Sequence, residues 1–119
     1  MDINQFAINL TSDQPDRLKA FYRDTLGLKP IPEMGEGAFA AGQSVIFVDG
    51  HSDTQGPAKE PQRYLINFFV EDVRPDQQRL EQAGVTFIRT EGKEEWGGII
   101  STFRDPDGNY LQLIAMQQA

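Results

Sequence analysis

The chain lacks cysteine entirely and has one histidine, His51, among its 119 residues. Without cysteine there is no disulfide framework, no thiolate nucleophile and no cysteine-bound zinc cluster. Long apolar runs are missing too, since no stretch approaches the roughly 18 apolar residues of a membrane span. The N-terminus, MDINQFAINL, has neither the basic start nor the apolar core of a signal peptide. We therefore expect a soluble, cytoplasmic protein that makes no contact with membranes.

Positive charge is also scarce. The chain has 11 Lys and Arg residues against 18 Asp and Glu residues, giving a net charge of −7 and a pI near 4.5. Such a surface repels nucleic acid phosphates and anionic lipid head groups, so no nucleic acid partner is expected. It would tolerate or attract a cationic partner, although an acidic surface can equally serve solubility alone.

The composition predicts one packed domain, because 39% of the 119 residues are hydrophobic and 10% are aromatic. Residues 6–11 alternate apolar and polar side chains, which predicts a strand. The next segment, SDQPDRLKAFYRDTLGL, predicts a helix that Ser12 or Asp13 can cap, with Pro15 in its first turn and Gly27 at its end. Short strands should follow, up to SVIFVDG at 44–50, and the polar segment 51–62 predicts a linker.

The second half repeats this order. A strand at 64–70 precedes a helix at about 75–83 and three strands, GVTFIR, GGIISTF and NYLQLIA, the last of which follows a DPDG turn. With an offset of 58 residues, Ile8-Asn9-Leu10 aligns with Ile66-Asn67-Phe68. We predict a single α+β domain, 1–119, with two tandem βαβββ modules (about 1–50 and 63–119, linker about 51–62). The modules should form curved mixed sheets around a cleft, with the helices on the outer face.

Several segments resemble the vicinal oxygen chelate (VOC) superfamily, which includes glyoxalase I, extradiol dioxygenases, fosfomycin resistance proteins and bleomycin resistance proteins. The matching segments cover most of the chain: DRLKAFYRDTLGL (16–28), EDV (71–73), LEQAGV (80–85), EWGG (95–98) and FRDPDGNYLQL (103–113). The resemblance implies paired βαβββ modules, in agreement with the repeat.

The resemblance also implies four metal-ligand positions, on the first and last strands of each module. Carried over by motif, these positions hold Ala7, Phe47, Leu65 and Gln112. A divalent ion needs several oxygen or nitrogen ligands at about 2.0–2.6 Å, and one neutral amide cannot supply them. His51 lies in the polar loop, and the run EGKEE (91–95) predicts a solvated turn. We therefore predict no metal, no cofactor and no catalytic residue, which argues against the family chemistry in which the ion acts as a Lewis acid.

Apolar and aromatic residues at these positions favour a small-molecule pocket instead. Aromatic rings could stack on a ligand, amides could orient it and one carboxylate could pair with a cation. The candidate ligand-binding residues, placed on the faces away from the helices or at the pocket mouth, are Asn9, Phe47, Asp49, Asn67, Phe69, Trp96, Tyr110 and Gln112. The alternative is that Phe47 and Leu65 fill a closed core and that Trp96 is a packing anchor.

These patterns predict a metal-independent small-molecule binding protein that holds an aromatic or cationic compound in a cleft at a homodimer interface. Bleomycin resistance proteins, which this chain resembles in lacking a catalytic metal, sequester a cationic drug between two subunits. Two alternatives stay open. One is a glyoxalase-like lyase, isomerase or dioxygenase with an unorthodox metal site, and the other is a module that binds another protein.

Overall fold

A computed structural model describes residues 1–117 of the chain. These residues form two compact units, of which the first is Met1–Gly56 and the second begins at Pro57. Residues 118–119, the end of the predicted second module, lie outside the described residues. Within 1–117, no helix is long and apolar enough to cross a membrane.

The first unit contains a four-stranded mixed sheet and one helical segment. The helix α1 (Pro15–Ala20) continues into a π-helical turn, Phe21–Thr25, and a 3₁₀ turn spans Pro32–Met34. The strand order is β1-β4-β3-β2, with β1 parallel to β4 and the other pairs antiparallel. The strands are β1 (Ala7–Ser12), β2 (Lys29–Pro30), β3 (Ala38–Ala41) and β4 (Ser44–Gly50).

The second unit repeats this arrangement around the longer helix α2 (Val73–Gln82). Its strand order is β5-β8-β7-β6, again with the first pair parallel and the others antiparallel. A 3₁₀ turn, Pro61–Arg63, precedes the sheet. The strands are β5 (Leu65–Phe69), β6 (Phe87–Lys93), β7 (Gly98–Arg104) and β8 (Tyr110–Met116). The two mixed sheets confirm the predicted α+β fold of tandem βαβββ modules.

The first helical segment follows its sequence pattern with one difference. Gly27 ends it with φ of +82°, as predicted, and Leu18 and Tyr22 are its buried stripe. The cap prediction was wrong, because Gln14 is the N-cap residue and makes no side-chain cap bond. The Ser12 hydroxyl oxygen instead accepts the Gln14 N–H at 2.9 Å, in the turn before the helix.

Two boundaries in the second unit differ from the sequence prediction. Helix α2 begins at Val73 rather than near Pro75, because the Asp72 carboxylate accepts the Arg74 N–H at 3.0 Å and caps it. Strand β6 extends to Lys93, so the first three residues of EGKEE are strand rather than turn, although Glu91 and Lys93 are exposed. There Glu91, at φ +48°, donates its N–H to the Ser101 hydroxyl oxygen at 2.9 Å, beside a shift in the β6–β7 register. Pairing with β7 therefore overrides the polar local sequence.

Alternation along the strands divides each sheet into a helix-facing side and an opposite side. In the first unit, Ile46 and Val48 are buried on the α1 side, where a Cβ atom at Gly50 would lie 3.4 Å from Pro15. In the second unit, buried Ser101 donates to the Gln77 side-chain oxygen of α2 at 2.5 Å. Leu111 and Leu113 are buried on that side, as their spacing predicts.

Candidate functional site

A row of three polar side chains crosses the second sheet on the face opposite α2. Gln112 on β8 is the register partner of Asn67 on β5 and of Thr102 on β7. The Thr102 hydroxyl donates to Oε1 of Gln112 at 2.9 Å, and Nε2 of Gln112 donates to Oδ1 of Asn67 at 2.9 Å. Both ends of the Gln112 amide are thus engaged, and the Asn67 side-chain nitrogen ends the chain of hydrogen bonds as a donor.

A second row holds the positive charge of this face. Arg104 on β7 is the register partner of Tyr110 on β8, which in turn pairs with Leu65 on β5. The Arg104 guanidinium carbon lies 5.4 Å from the centre of the Tyr110 ring, and Nη2 donates to the Tyr110 hydroxyl at 3.3 Å. Stacking and hydrogen bonding together hold the guanidinium over the ring.

A third row, which is apolar, lies on the other side of the amides from Arg104, and only its β5 member is exposed. Phe69 on β5 is 73% exposed, whereas its neighbours in the row, Ile114 and Ile100, are buried. In the amide row, Asn67 is exposed, Gln112 half-buried and Thr102 buried. Side chains that an additional molecule could contact therefore cluster toward β5.

Two glycines on this face make room for larger side chains. A Cβ atom at Gly98 would overlap the Trp96 indole, and one at Gly92 would overlap the Arg89 guanidinium. The Arg89 guanidinium is also paired with Glu94, with Nη1 and Oε1 at 2.8 Å. The glycines thus leave room for the Trp96 ring and the Arg89 guanidinium to lie against the sheet.

The turn that joins β7 to β8 explains the motif FRDPDGNYLQL in structural terms. Buried Asp105 accepts the N–H groups of Asp107 and Asn109 through Oδ1, both at 2.9 Å. Its Oδ2 accepts the Asn109 side-chain amide at 2.8 Å. This closed turn fixes the register that places Arg104 opposite Tyr110, so its role is to position the face.

The first unit brings three of the predicted residues onto the face opposite α1. Asn9 is the register partner of Phe47, and Asp49 pairs with Thr11 one row further. Asn9 and Asp49 are exposed, while Phe47 is half-buried. The other five predicted residues, Asn67, Phe69, Trp96, Tyr110 and Gln112, belong to the second unit.

The residues at the implied metal positions do not fit a divalent ion. Ala7, Phe47 and Leu65 offer no lone pair, and the Gln112 oxygen already accepts the Thr102 hydroxyl proton. No group of three or more His, Cys, Asp or Glu side chains in residues 1–117 is arranged to hold an ion. His51 is exposed and its Nδ1 accepts the Asp53 N–H at 3.1 Å.

The polar face contains two residues that the sequence did not single out, Thr102 and Arg104. Thr102 and Arg104 alternate along β7, but only the hairpin register shows that they lie beside Gln112 and Tyr110. That register could be predicted only from a full account of the DPDG turn.

Two surface cavities lie elsewhere. One, of about 450 Å³, is beside the start of α2 and is lined by Asp72, Arg74, Glu91 and Lys93 among others. Hydrogen bonds from the Arg74 side chain and N–H hold the pKa of the Asp72 carboxyl below its ordinary value. The other, of about 470 Å³, is lined in part by Asp16, Lys19 and Arg23 of the first unit. None of the predicted ligand-binding residues lines either cavity.

Comparison with known proteins matches this architecture to one family. The sequence model of the Glyoxalase/Bleomycin resistance protein/Dioxygenase superfamily matches residues 3–113. YraH of Bacillus subtilis (strain 168), described as uncharacterized, is 29% identical over 110 residues, 81% of this chain and 85% of that protein.

Two solved structures illustrate the similarity of fold. A virulence protein from Salmonella typhimurium is 19% identical, with a TM-score of 0.73 over 98% of this chain and 99% of that one. A glyoxalase/bleomycin resistance protein/dioxygenase from Nocardioides is 13% identical, with a TM-score of 0.72 over 100% of this chain and 87% of that one. At these identities the likeness shows the fold.

Proposed function

This chain belongs to the glyoxalase/bleomycin resistance protein/dioxygenase superfamily, and from that membership we propose that it binds a small organic molecule without a metal ion. One observation supports the proposal above all. The amide of Gln112, at the position where the family resemblance implies a metal ligand, is hydrogen-bonded to Thr102 and Asn67. The hydrogen bonds to Thr102 and Asn67 hold the Gln112 amide in one orientation, in which it can orient a ligand. The amide is neutral, so it offers a metal ion no negatively charged ligand atom.

The side chains around the amides support an aromatic ligand. Leu65 and Phe69 flank Asn67 on the same face of β5 and are 46% and 73% exposed. Burying apolar surface stabilises a complex by roughly 25 cal/mol for each Å² removed from water. Stacked aromatic rings add further stabilisation. A planar, ring-bearing molecule would cover these side chains and place a polar group beside the amide row.

The alternative of metal-dependent lyase or dioxygenase chemistry has less support. That chemistry needs an ion to polarise the substrate, and the residues at the implied ligand positions lack the donors. We therefore derive no catalytic step for this chain and propose binding as its function.

We further propose that the chain forms a homodimer. Leu65 and Phe69, on one face of β5, are 46% and 73% exposed, and neighbouring exposed apolar side chains mark an interaction site, here one that a ligand and a second subunit would share. Most homo-oligomers are twofold dimers. Light scattering at micromolar concentration should give twice the chain mass, and a monomer would contradict the proposal.

The binding proposal is tested by titrating chelator-treated protein with a panel of aromatic compounds while following fluorescence. Trp96 is the only tryptophan and lies on the same face as Gln112, so its emission reports on this sheet. At least one compound should give a saturable response, and Gln112→Met should weaken it by about tenfold, since it removes an amide proposed to orient the ligand and the hydrogen bond that holds Asn67 in place.

The matched control is Gln78→Leu, an exposed glutamine of α2, which should leave the affinity unchanged. Urea denaturation of each variant verifies that it is folded at the titration temperature. A panel without any saturable response, or an affinity that Gln112→Met leaves intact, would overturn the proposal.

A further inference from the structure

We propose that the second unit selects an organic acid, whose carboxylate is bound by Arg104 together with the amides of Asn67 and Gln112. The inference rests on the proposed binding function and specifies the ligand class of the same face. It favours an aryl-substituted monocarboxylic acid over the cationic ligand that the acidic composition suggests.

The first support is the charge on the strands themselves. Within β5, β7 and β8, Arg104 is the one charged residue. Among residues 1–117 it forms no ion pair, and its contacts with the Tyr110 ring and hydroxyl use only one of its five N–H donors. A carboxylate approaching the face would therefore meet an uncompensated cation that can offer it parallel N–H donors.

The second support is the charge of the neighbouring strand. Arg89 on β6 also lies on this face, but Glu94 neutralises it at 2.8 Å. The other two charged residues of β6, Glu91 and Lys93, line the cavity beside α2 instead. The face is thus locally positive although the whole chain has a net charge of −7.

The third support is the direction of the hydrogen bonds in the amide row. Because Thr102 donates to Gln112 and Gln112 donates to Asn67, each amide uses its oxygen inside the row. Asn67 Nδ2 has no hydrogen-bond partner in the described part of the chain. The row therefore presents N–H donors to a ligand, which suits a carboxylate oxygen and not an ammonium group.

The spacing of the rows defines the rest of the ligand. Arg104 lies one row from the amides, and residues two apart on a strand are about 7 Å apart along it. Leu65 and Phe69 flank Asn67 on the exposed side of the face. Leu65 belongs to the Arg104 row, whereas Phe69 is two rows, about 14 Å along the strands, away from it. A carboxylate held between Arg104 and the amides therefore places a ring one or two carbons away on Leu65 rather than on Phe69.

The test uses three probes that share a phenyl ring and differ in charge: phenylacetate, phenylacetamide and phenethylamine. Isothermal titration calorimetry is performed with the full chain and with Arg104→Gln. We expect phenylacetate to bind about tenfold more tightly than phenylacetamide, as one charge-assisted hydrogen bond would give, and phenethylamine to bind most weakly. In Arg104→Gln the affinity for phenylacetate should fall to that for phenylacetamide.

Arg74→Gln is the matched control, because Arg74 is also an exposed arginine of the second unit but lines the cavity beside α2. It should leave the preference for the acid intact. A preference that survives Arg104→Gln, or that Arg74→Gln abolishes, would overturn the inference. Binding of the amide or the amine at least as tightly as the acid would also overturn it, while leaving the proposed binding function in place. If none of the probes binds and the wider aromatic panel also fails, both proposals are wrong.

Discussion

Gln112 and Asn67, which are register partners on the parallel strands β8 and β5, are joined by a hydrogen bond of 2.9 Å from Nε2 to Oδ1. The first unit repeats the same pairing between Asn9 and Phe47 on β1 and β4. There a phenyl ring stands where the second unit has an amide. The two modules therefore share a backbone arrangement, but an amide–amide pair exists only in the second.

A matched pair of asparagine variants tests the amide row. Asn67→Leu removes the acceptor of the Gln112 N–H and the free donor, so the affinity for an aromatic ligand should fall by about tenfold. Asn4→Leu changes an exposed asparagine that precedes β1 and is not among the candidate ligand-binding residues, so it should alter the affinity by less than about twofold. Calorimetry measures both, and equal losses in the two variants would show that the amide row does not orient the ligand.

The contact between Trp96 and Gly98 predicts a spectroscopic effect. In Gly98→Ala the new methyl group would overlap the indole, so the ring must leave its place on the sheet. We expect the emission maximum to shift to longer wavelength because the displaced ring gains exposure from 56%. Gly50→Ala is the control, since its methyl group would lie 3.4 Å from Pro15 and far in sequence from the tryptophan. An unchanged spectrum in Gly98→Ala would contradict the stacking.

The DPDG turn predicts a loss of stability. Asp105→Ala leaves the N–H groups of Asp107 and Asn109 without their acceptor in a buried turn, which should lower the free energy of unfolding by about 2–4 kcal/mol. Urea denaturation measures the change, with Asp53→Ala, an exposed loop residue, expected within about 0.5 kcal/mol of the wild type. A loss in Asp105→Ala no larger than in the control would mean that the carboxylate does not hold the turn.

The cap of α2 predicts a dependence of stability on pH. Hydrogen bonds from Arg74 lower the pKa of the Asp72 carboxyl from its ordinary value of 3.8. The charged carboxylate therefore stabilises the folded state at pH values above 3.8. This stabilisation is lost as the pH falls through the lowered pKa. Asp72→Ser retains a cap oxygen that does not ionise. The wild type should therefore exceed Asp72→Ser in stability at pH 6, and the difference should shrink toward pH 2.5. A difference that is constant across this range in denaturation experiments would contradict the assignment.

Much of the fold follows from local sequence pattern, because alternation and turn residues act over short distances. Strands β4 and β8 lie where the apolar alternation predicts them, and Gly27 ends its helix as expected. The start of α2 was missed because its cap, Asp72, precedes the apolar positions on which the prediction depended. Strand β6 was misplaced because its polar second half is strand only through pairing with β7.

The site was predictable only in part, because the sequence pattern assigns side chains to a face within one strand but does not give the register between strands. Side chains on a single strand, such as Asn67 with Phe69, can be assigned to one face by counting residues. Thr102 and Arg104 reach Gln112 and Tyr110 only through the hairpin register, which the turn at Asp105 sets. The place of Trp96 depends on the missing side chain of Gly98, which no periodic pattern reveals.

The central claim is that the chain uses this fold to bind an organic ligand without an ion. It is tested most directly by measuring ligand affinity before and after chelation, with the metal content of each sample determined by mass spectrometry. We predict equal affinities and a metal content far below one ion per chain in both samples. Affinity that disappears on chelation and returns with one equivalent of a divalent ion would contradict the claim.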